Sequence, residues 1–346
     1  MITVEIIASP HDPRWAAVEA LPTASLYHSA AWARVLADSY SFASRSYLAL
    51  DGDRVVGGCP AFEVRGVLRG VRCVSVPFSD CGGPIGDTGA RRALLETIVA
   101  DVGRRGWSAV EIRTQLDADG GGPFTEEVHN DLYAVPLARS LCDIVRGFSD
   151  SVHWGRKRAL REGLTVERAH GRAALREFYW LHQLTRRKLG VPVQPWRFFE
   201  AIWREFLTRD AGFVVTVRHA RRPVASALFL QHGPRLYYKF SASDPRALAA
   251  QPNSLLLWEA ITWAKEAGLA EVDLGKTVRE NAGLARFKRS WGAIATPLAY
   301  SYLPRVVGIA AESEESGRLQ ALRAIWRRLP LPVARAVSGL LYKSLA

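Results

Sequence analysis

Residues 237–291 read YYKFSASDPRALAAQPNSLLLWEAITWAKEAGLAEVDLGKTVRENAGLARFKRSW. Tyr237 to Ser241 alternates in the manner of a strand. Leu255, Leu256, Trp258, Glu259, Ile261, Thr262 and Ala264 then fill an amphipathic helix that Gly268 closes. Pro252 marks its start, where Asn253 or Ser254 is placed to cap it. Glu271 to Gly275 is a short strand, and just past it come Lys276, Arg279, Glu280, Asn281, Lys288 and Arg289. In largely parallel α/β units, ligands lie beyond the carboxyl ends of strands. Cations gathered there predict an anionic ligand.

Working outward, the same order of elements recurs. In the second half, Phe213 to Arg218 and Val224 to Gln231 form a hairpin ahead of the strand–helix–strand just read. In the first half, Ser46 to Leu50 and Val55 to Val64 form a hairpin across Asp51-Gly52-Asp53. Val71 to Pro77 is a strand, Ala90 to Arg105 a helix and Ala109 to Arg113 a strand. Hairpin, strand, helix, strand, written twice, predicts two related domains of α+β class, each with the element order of the N-acetyltransferase (GNAT) fold. The expected division is 1–145, 146–304 and a C-terminal tail at 305–346. The junction is expected around Leu137 to Thr165, before a helix at Arg172 to Lys188.

Composition agrees with a folded pair of domains. The chain has 346 residues, 48% of them hydrophobic, with 11 tryptophans, enough for a substantial core rather than disorder. The formal net charge is +12, most of it arginine. That suits a polyanionic partner (RNA, a nucleotide-linked precursor or an anionic membrane), with a solvated basic surface as the alternative. The four cysteines have no paired spacing, so neither structural disulfides nor zinc is expected, in keeping with a reducing cytoplasm. No signal peptide is expected from MITVEIIASPHDPRW, and no apolar run approaches about 18 residues.

QPNSLLLWEAITWAKEAGLAEVDLGKT and NAGLARFKRSWGA, preceded by TRRKLGVPVQP at 185–195, resemble the FemAB-type branch of tandem acyltransferases. YHSAAWARVL and VVGGCPAFEVRGVLRGVRCVSVPFSDCGG are similar to the first domain of that family, so the resemblance spans residues 25–302. It implies two tandem GNAT-like domains of the acyl-CoA N-acyltransferase fold. The best-understood members move an amino acid from aminoacyl-tRNA to an amine on a peptidoglycan precursor. Others are acyltransferases of exopolysaccharide or natural-product pathways.

The donor can be argued from one loop. Coenzyme A-dependent GNAT domains need a glycine-rich turn whose backbone N–H groups meet the pyrophosphate at a helix N-terminus. Here that place holds FSASDPRALAAQPNS, with no glycine, while DCGGPIGDTGARR in the first half has glycines at another spacing. Coenzyme A is therefore disfavoured. With the resemblance, this points to aminoacyl-tRNA as donor, with no bound cofactor or metal and an anionic small-molecule or lipid-linked acceptor. An acyl-CoA or acyl-carrier-protein donor is the rival, and a non-catalytic scaffold or RNA-binding module the other.

Aminolysis of an activated ester needs a positioned amine, a route for its proton and a stabilised oxyanion. Lys288, Asp273 and Lys239 are the candidate catalytic residues. Lys288 would meet a phosphate or developing charge, as the resemblance places its FK pair in the family's active region, or it belongs to a basic turn anchored by Phe287 and Trp291. Asp273 would be a base or the partner of Lys276 or Arg279. Lys239 points into the cleft or lies on an exposed face. Arg289, Lys276, Arg279, Asn281, Tyr238 and Asn253 are candidate substrate contacts, with Asp80 in the first half. Arg156, Lys157 and Arg158 form a run suited to a diphosphate or to solvent. His182 reads as structural. In the tail, Leu319, Leu322, Ile325, Trp326 and Leu329 share one face of a basic helix, broken at Pro330 to Pro332 and echoed from Val333 to Leu345. The 318–345 region would dock on an anionic membrane or pack back on the second domain.

Overall fold

The computed structural model describes residues 2–66, 70–116, 122–304 and 317–329, with Val333, Ala334, Val337, Ser338 and Tyr342. The chain divides into two compact units. One holds 1–128, 298–322 and 336–346; the other holds 129–297 and 323–335. The main boundary thus falls between Val128 and His129 rather than at 146, because residues 130–136 pair with 271–278 of the second unit.

The first unit opens with β1 (Ile2–Ile7), α1 (Trp15–Glu19), α2 (Ala30–Tyr40), β2 (Ala43–Ser44), β3 (Ser46–Asp51) and β4 (Arg54–Cys59). It continues with β5 (Phe62–Gly66), β6 (Gly70–Val74), β7 (Ile85–Gly86), α3 (Thr88–Arg105) and β8 (Ala109–Ile112). The chain then runs through β9 (Thr125–Pro136), α4 (Leu141–Arg146), α5 (Asp150–Arg161), β10 (Leu164–Ala169), α6 (Arg172–Leu189) and α7 (Trp196–Glu205). Next come β11 (Gly212–His219), β12 (Arg222–His232), β13 (Arg235–Ser243), α8 (Pro252–Glu266), β14 (Glu271–Val278), α9 (Ala282–Ser290), β15 (Ile294–Leu303) and α10 (Gly317–Arg328).

Each unit contains the strand–helix–strand crossover that the sequence repeats. In the first, β6 and β8 pair in parallel with α3 between them, Arg72 opposite Ala109. In the second, β13 and β14 pair in parallel across α8, Arg235 opposite Glu271. The expected single strand from Val55 to Val64 is two strands. β4 belongs to the sheet β1-β3-β4-β7, and β5 pairs with β2 and β6. Pro60, which has no N–H to give a ladder, sits at the break.

The second unit's sheet runs β10-β11-β12-β13-β14-β9, antiparallel except at β13–β14. Its core joins Val215, Val217, Ala227 and Phe229 to Leu256, Ala260 and Ile261 of α8. The α8 start corrects the expected cap: Gln251 is the N-cap in left-handed conformation (φ 58°), and Pro252 is the first helical residue. Proline is preorganised there and its missing N–H costs nothing.

Gly190 ends α6 with φ +73°, and a Cβ there would meet Arg323 O at 2.5 Å. The bare Cα is what lets α10 reach the end of α6. Gly190→Ala should cost about 2 kcal/mol, from left-handed strain plus that contact. A lowered melting temperature with faster amide exchange at 323–329 checks it; unchanged values refute the contact. Of the apolar face expected on α10, Ile325 is 59% exposed and Trp326 half-buried. Residues 330–332 and most of 335–346 lie outside the described residues. Among the described residues, no helix is long and apolar enough to cross a membrane.

Candidate active site in the second unit

β13 and β14 pair only from Arg235–Glu271 to Tyr237–Asp273, although both strands run on, to Ser243 and Val278. Each strand is drawn to its outer neighbour by a bulge. Against β12, Phe229 faces Tyr238 and Leu228 faces Phe240, so Lys239 is the extra residue. Against β9, Asp273 faces Ala134 and Lys276 faces Leu132, so Leu274 and Gly275 together oppose Tyr133. Gly275 has φ +75°, a conformation glycine adopts without penalty. Bulges bend and twist the strand that carries them. Two in adjacent strands part them, and a wedge opens at their carboxyl ends.

The β14 bulge is held from both sides. Asp273, 5% exposed, accepts a hydrogen bond from Gly275 N–H at 2.6 Å. Lys288, 4% exposed on α9, donates through Nζ to Gly275 O at 2.8 Å and Lys276 O at 3.0 Å. Nζ also lies 5.4 Å from the Tyr133 ring centroid, and the Arg289 guanidinium lies 5.6 Å from the same ring. The lysine is therefore a tether from α9 into the strand, a geometry of positioning.

The stretch around Lys288, for which a basic turn was the alternative reading, is the helix α9. Asn281 caps it, its Oδ1 accepting from Leu284 N–H at 3.1 Å. Lys276, expected beyond the strand, lies within β14. Arg279 Nε donates to Asp131 Oδ1 at 3.0 Å, so its charge is matched by β9. On the other side of the wedge, Tyr238 stacks on Phe229 with centroids 5.2 Å apart. Burial pushes its phenol up to about 12, which keeps the proton on at neutral pH. Lys239 Nζ lies 5.8 Å from the Phe240 ring centroid. Asn253 Oδ1 accepts from Ser243 Oγ at 2.8 Å, tying the end of β13 to the start of α8.

The fold thus gathers Asp273, Lys276, Lys288 and Arg289 at one bulge, with Arg279 and Asn281 at the turn into α9. It does not make a single cluster of the 156–158 run. Those residues lie on α5, where successive side chains point about 100° apart. Arg156 stacks on Trp258 at 4.3 Å, and Arg158 sits 5.4 Å from the Trp154 ring and 3.7 Å from Glu162. Lys157 is exposed. Asp80 belongs to the first unit, where it accepts from Tyr27 Oη at 2.6 Å. Tyr133 is the member the sequence reading missed. The alternation DLYAVP around it was the available signal.

In the loop from β13 to α8, backbone N–H groups are spent within the loop or missing. Asp244 caps a 3-10 turn over Pro245–Ala250 and accepts from Arg246 N–H at 3.0 Å. Pro252 has no N–H to offer, and Ser254 N–H is spent on Gln251 O at 3.1 Å. Gly155 of α5 abuts the same helix start, where a Cβ would lie 2.4 Å from Ser254 Oγ.

Residues 149–289 match the family described as Acetyltransferase (GNAT) domain, a span shorter than half of the chain. FemX superposes with a TM-score of 0.67 at 16% identity, over 86% of this chain and 96% of that one. The C-terminal domain of a putative lysylphosphatidylglycerol synthetase from Agrobacterium fabrum gives 0.56 at 14%, over 84% and 90%. A tandem GNAT protein from the clavulanic acid biosynthesis pathway gives 0.52 at 11%, over 87% and 98%. No curated protein matches the chain by sequence. At these identities the structural likeness is one of fold. The domain match places residues 149–289 in the GNAT acetyltransferase class. In fold the whole chain resembles FemX and the tandem GNAT protein, with two GNAT-like units in tandem.

Proposed function

We propose that the chain transfers an aminoacyl group from aminoacyl-tRNA to an amine on a peptidoglycan-precursor-like or specialised-metabolite acceptor. The observation that carries this reading is the wedge between β13 and β14 beside a helix start with no glycine-rich cradle. A wedge at strand carboxyl ends gives an ester and an attacking amine one shared place, and holding reactants in register is a large part of what aminolysis requires. The loop that would clasp a coenzyme A pyrophosphate instead spends its N–H groups on Asp244 and Gln251 or lacks them at Pro252. FemX-like architecture, and a structural neighbour whose name couples a lysyl group to phosphatidylglycerol, both favour an aminoacyl donor.

In this reading the bulge presents Lys276 and Arg289 to the anionic part of a substrate. Lys288 and Asp273 hold the backbone that faces the reacting ester. No side chain is assigned as a covalent nucleophile. The amine attacks the ester carbonyl, its proton leaves to solvent or substrate, and the tRNA ribose hydroxyl departs.

The test is a transfer assay with purified protein, a total aminoacyl-tRNA pool and, separately, acetyl-CoA, each with a panel of amine acceptors. Acceptor-dependent deacylation of the charged tRNA, without consumption of acetyl-CoA, is the expected result. Acetyl transfer with no loss of charged tRNA would reverse the donor assignment. A membrane-apposed reading of 318–345 is compatible with this function and is tested by sedimentation with anionic vesicles.

A further inference from the structure

A cavity of about 500 Å³ lies in the second unit, apart from the bulge, where three elements meet. The end of α6 brings Arg187 and Lys188, the turn after β13 brings Asp244 and Arg246, and α10 brings Arg327. Its assembly depends on Gly190, whose bare Cα admits the Arg323 carbonyl, and on Arg187 Nε, which donates to Arg327 O at 3.4 Å.

The charges in this cavity do not balance. Its carboxylate, Asp244, is 3% exposed and already occupied: Arg246 donates to it through Nε at 3.0 Å and Nη2 at 2.8 Å, and Arg222 lies 3.5 Å away. Among the described residues, Arg187, Lys188 and Arg327 have no carboxylate partner. The C-terminal dipole of α6 offsets part of their repulsion, about half a unit charge. Three like charges converging on one concavity otherwise raise its potential, and an anion lowers it.

We infer that this cavity binds a phosphate ester of a substrate. Arginine forks and a lysine ammonium suit the several oxygens of a phosphoryl or diphosphoryl group better than a single carboxylate. A concavity of about 500 Å³ has room for such a group. This inference goes beyond the acyl donor assignment and stands without it, because it rests on charge and shape alone. The phosphate can come from an RNA backbone or from a nucleoside diphosphate-linked acceptor.

The experiment titrates the full chain with pyrophosphate, with a CCA-ended RNA minihelix and with UDP-N-acetylglucosamine, at low and at moderate salt. The variant pair Lys188→Gln with Arg327→Gln removes two exposed cations that hold no other part of the fold, and Arg161→Gln is a charge control on α5. Thermal melting verifies that each variant folds. The double variant should bind pyrophosphate about tenfold more weakly, as expected for loss of charge-assisted bonds. Loss of minihelix affinity, with a salt slope reduced by about two, identifies RNA as the source. Selective loss of the UDP-sugar identifies the acceptor. Wild-type affinity for all three probes in the folded double variant, or an equal loss in Arg161→Gln, overturns the site. So does the absence of binding by the wild-type chain to every probe at low salt.

Discussion

On the proposed reaction, Lys288→Met should lower kcat by about 100-fold while leaving KM for the charged tRNA nearly unchanged, since a reacting-centre shift of about 1 Å has that effect. Methionine keeps the length and apolar stem of lysine but not its three donors. Gly275 O and Lys276 O would lose the ammonium that now lies 2.8 and 3.0 Å away. Each buried carbonyl left unsatisfied costs about 1–3 kcal/mol, partly offset by no longer burying a charge. A net destabilisation of about 2 kcal/mol is therefore expected by denaturant unfolding. Lys288→Arg keeps charge and donors and should recover a measurable part of kcat, whereas a purely packing role would favour methionine over arginine. Full activity in Lys288→Met with unaltered stability would remove the tether from the mechanism. A cellular role that survives Lys288→Met without detectable transfer would support the scaffold alternative.

Acidification should destabilise the second unit through His182. Its imidazole lies among the rings of Phe178, Phe199 and Phe240, with centroids 5.5, 5.1 and 5.8 Å away. Nε2 lies 2.7 Å from Gln194 Oε1, while Nδ1 is buried without a hydrogen-bond partner among the described residues. Burial, reinforced by the charge of Arg186 and opposed by the Gln194 bond, brings its pKa down to about 3 from the usual 6.5. Above the unfolded value both states are neutral and the group has no effect on pH dependence. As pH falls below it, the unfolded chain takes up the proton and the folded chain does not. Stability is then lost by about 1.4 kcal/mol per pH unit until the folded value is reached. At pH 5 the loss is about 2 kcal/mol. His182→Gln retains an amide donor for Gln194 and removes the titration, so its unfolding free energy should fall less steeply than wild type between pH 7 and 5. Parallel slopes would mean that the imidazole is protonated in the folded chain. This is a structural histidine, as its place on an amphipathic helix suggested.

The crossovers β6–α3–β8 and β13–α8–β14 were legible because each consists of elements long enough for their periodicity to speak. α9 was not legible. Nine residues with Leu284, Ala285 and Phe287 as their apolar set carry little periodic signal, even though Asn281 stands three residues ahead of Leu284 as a cap. β9 was absorbed into the first domain, because its pairing with β14 is a choice made over more than 130 residues of chain. The alternation from Val55 to Val64 hid a change of sheet at Pro60.

The amino-acid sequence by itself determined the order of elements, the absence of a glycine cradle before α8 and the excess of positive charge. These are properties of neighbouring residues, set by backbone conformation and side-chain type. Only the tertiary structure decided which charges act together. It turned Lys288 inward as a tether, left Arg156 and Arg158 stacked on tryptophans, and brought Arg187 and Arg327, 140 residues apart, to one cavity. Convergence of that kind depends on how helices and strands pack over long separations, and no local propensity encodes it.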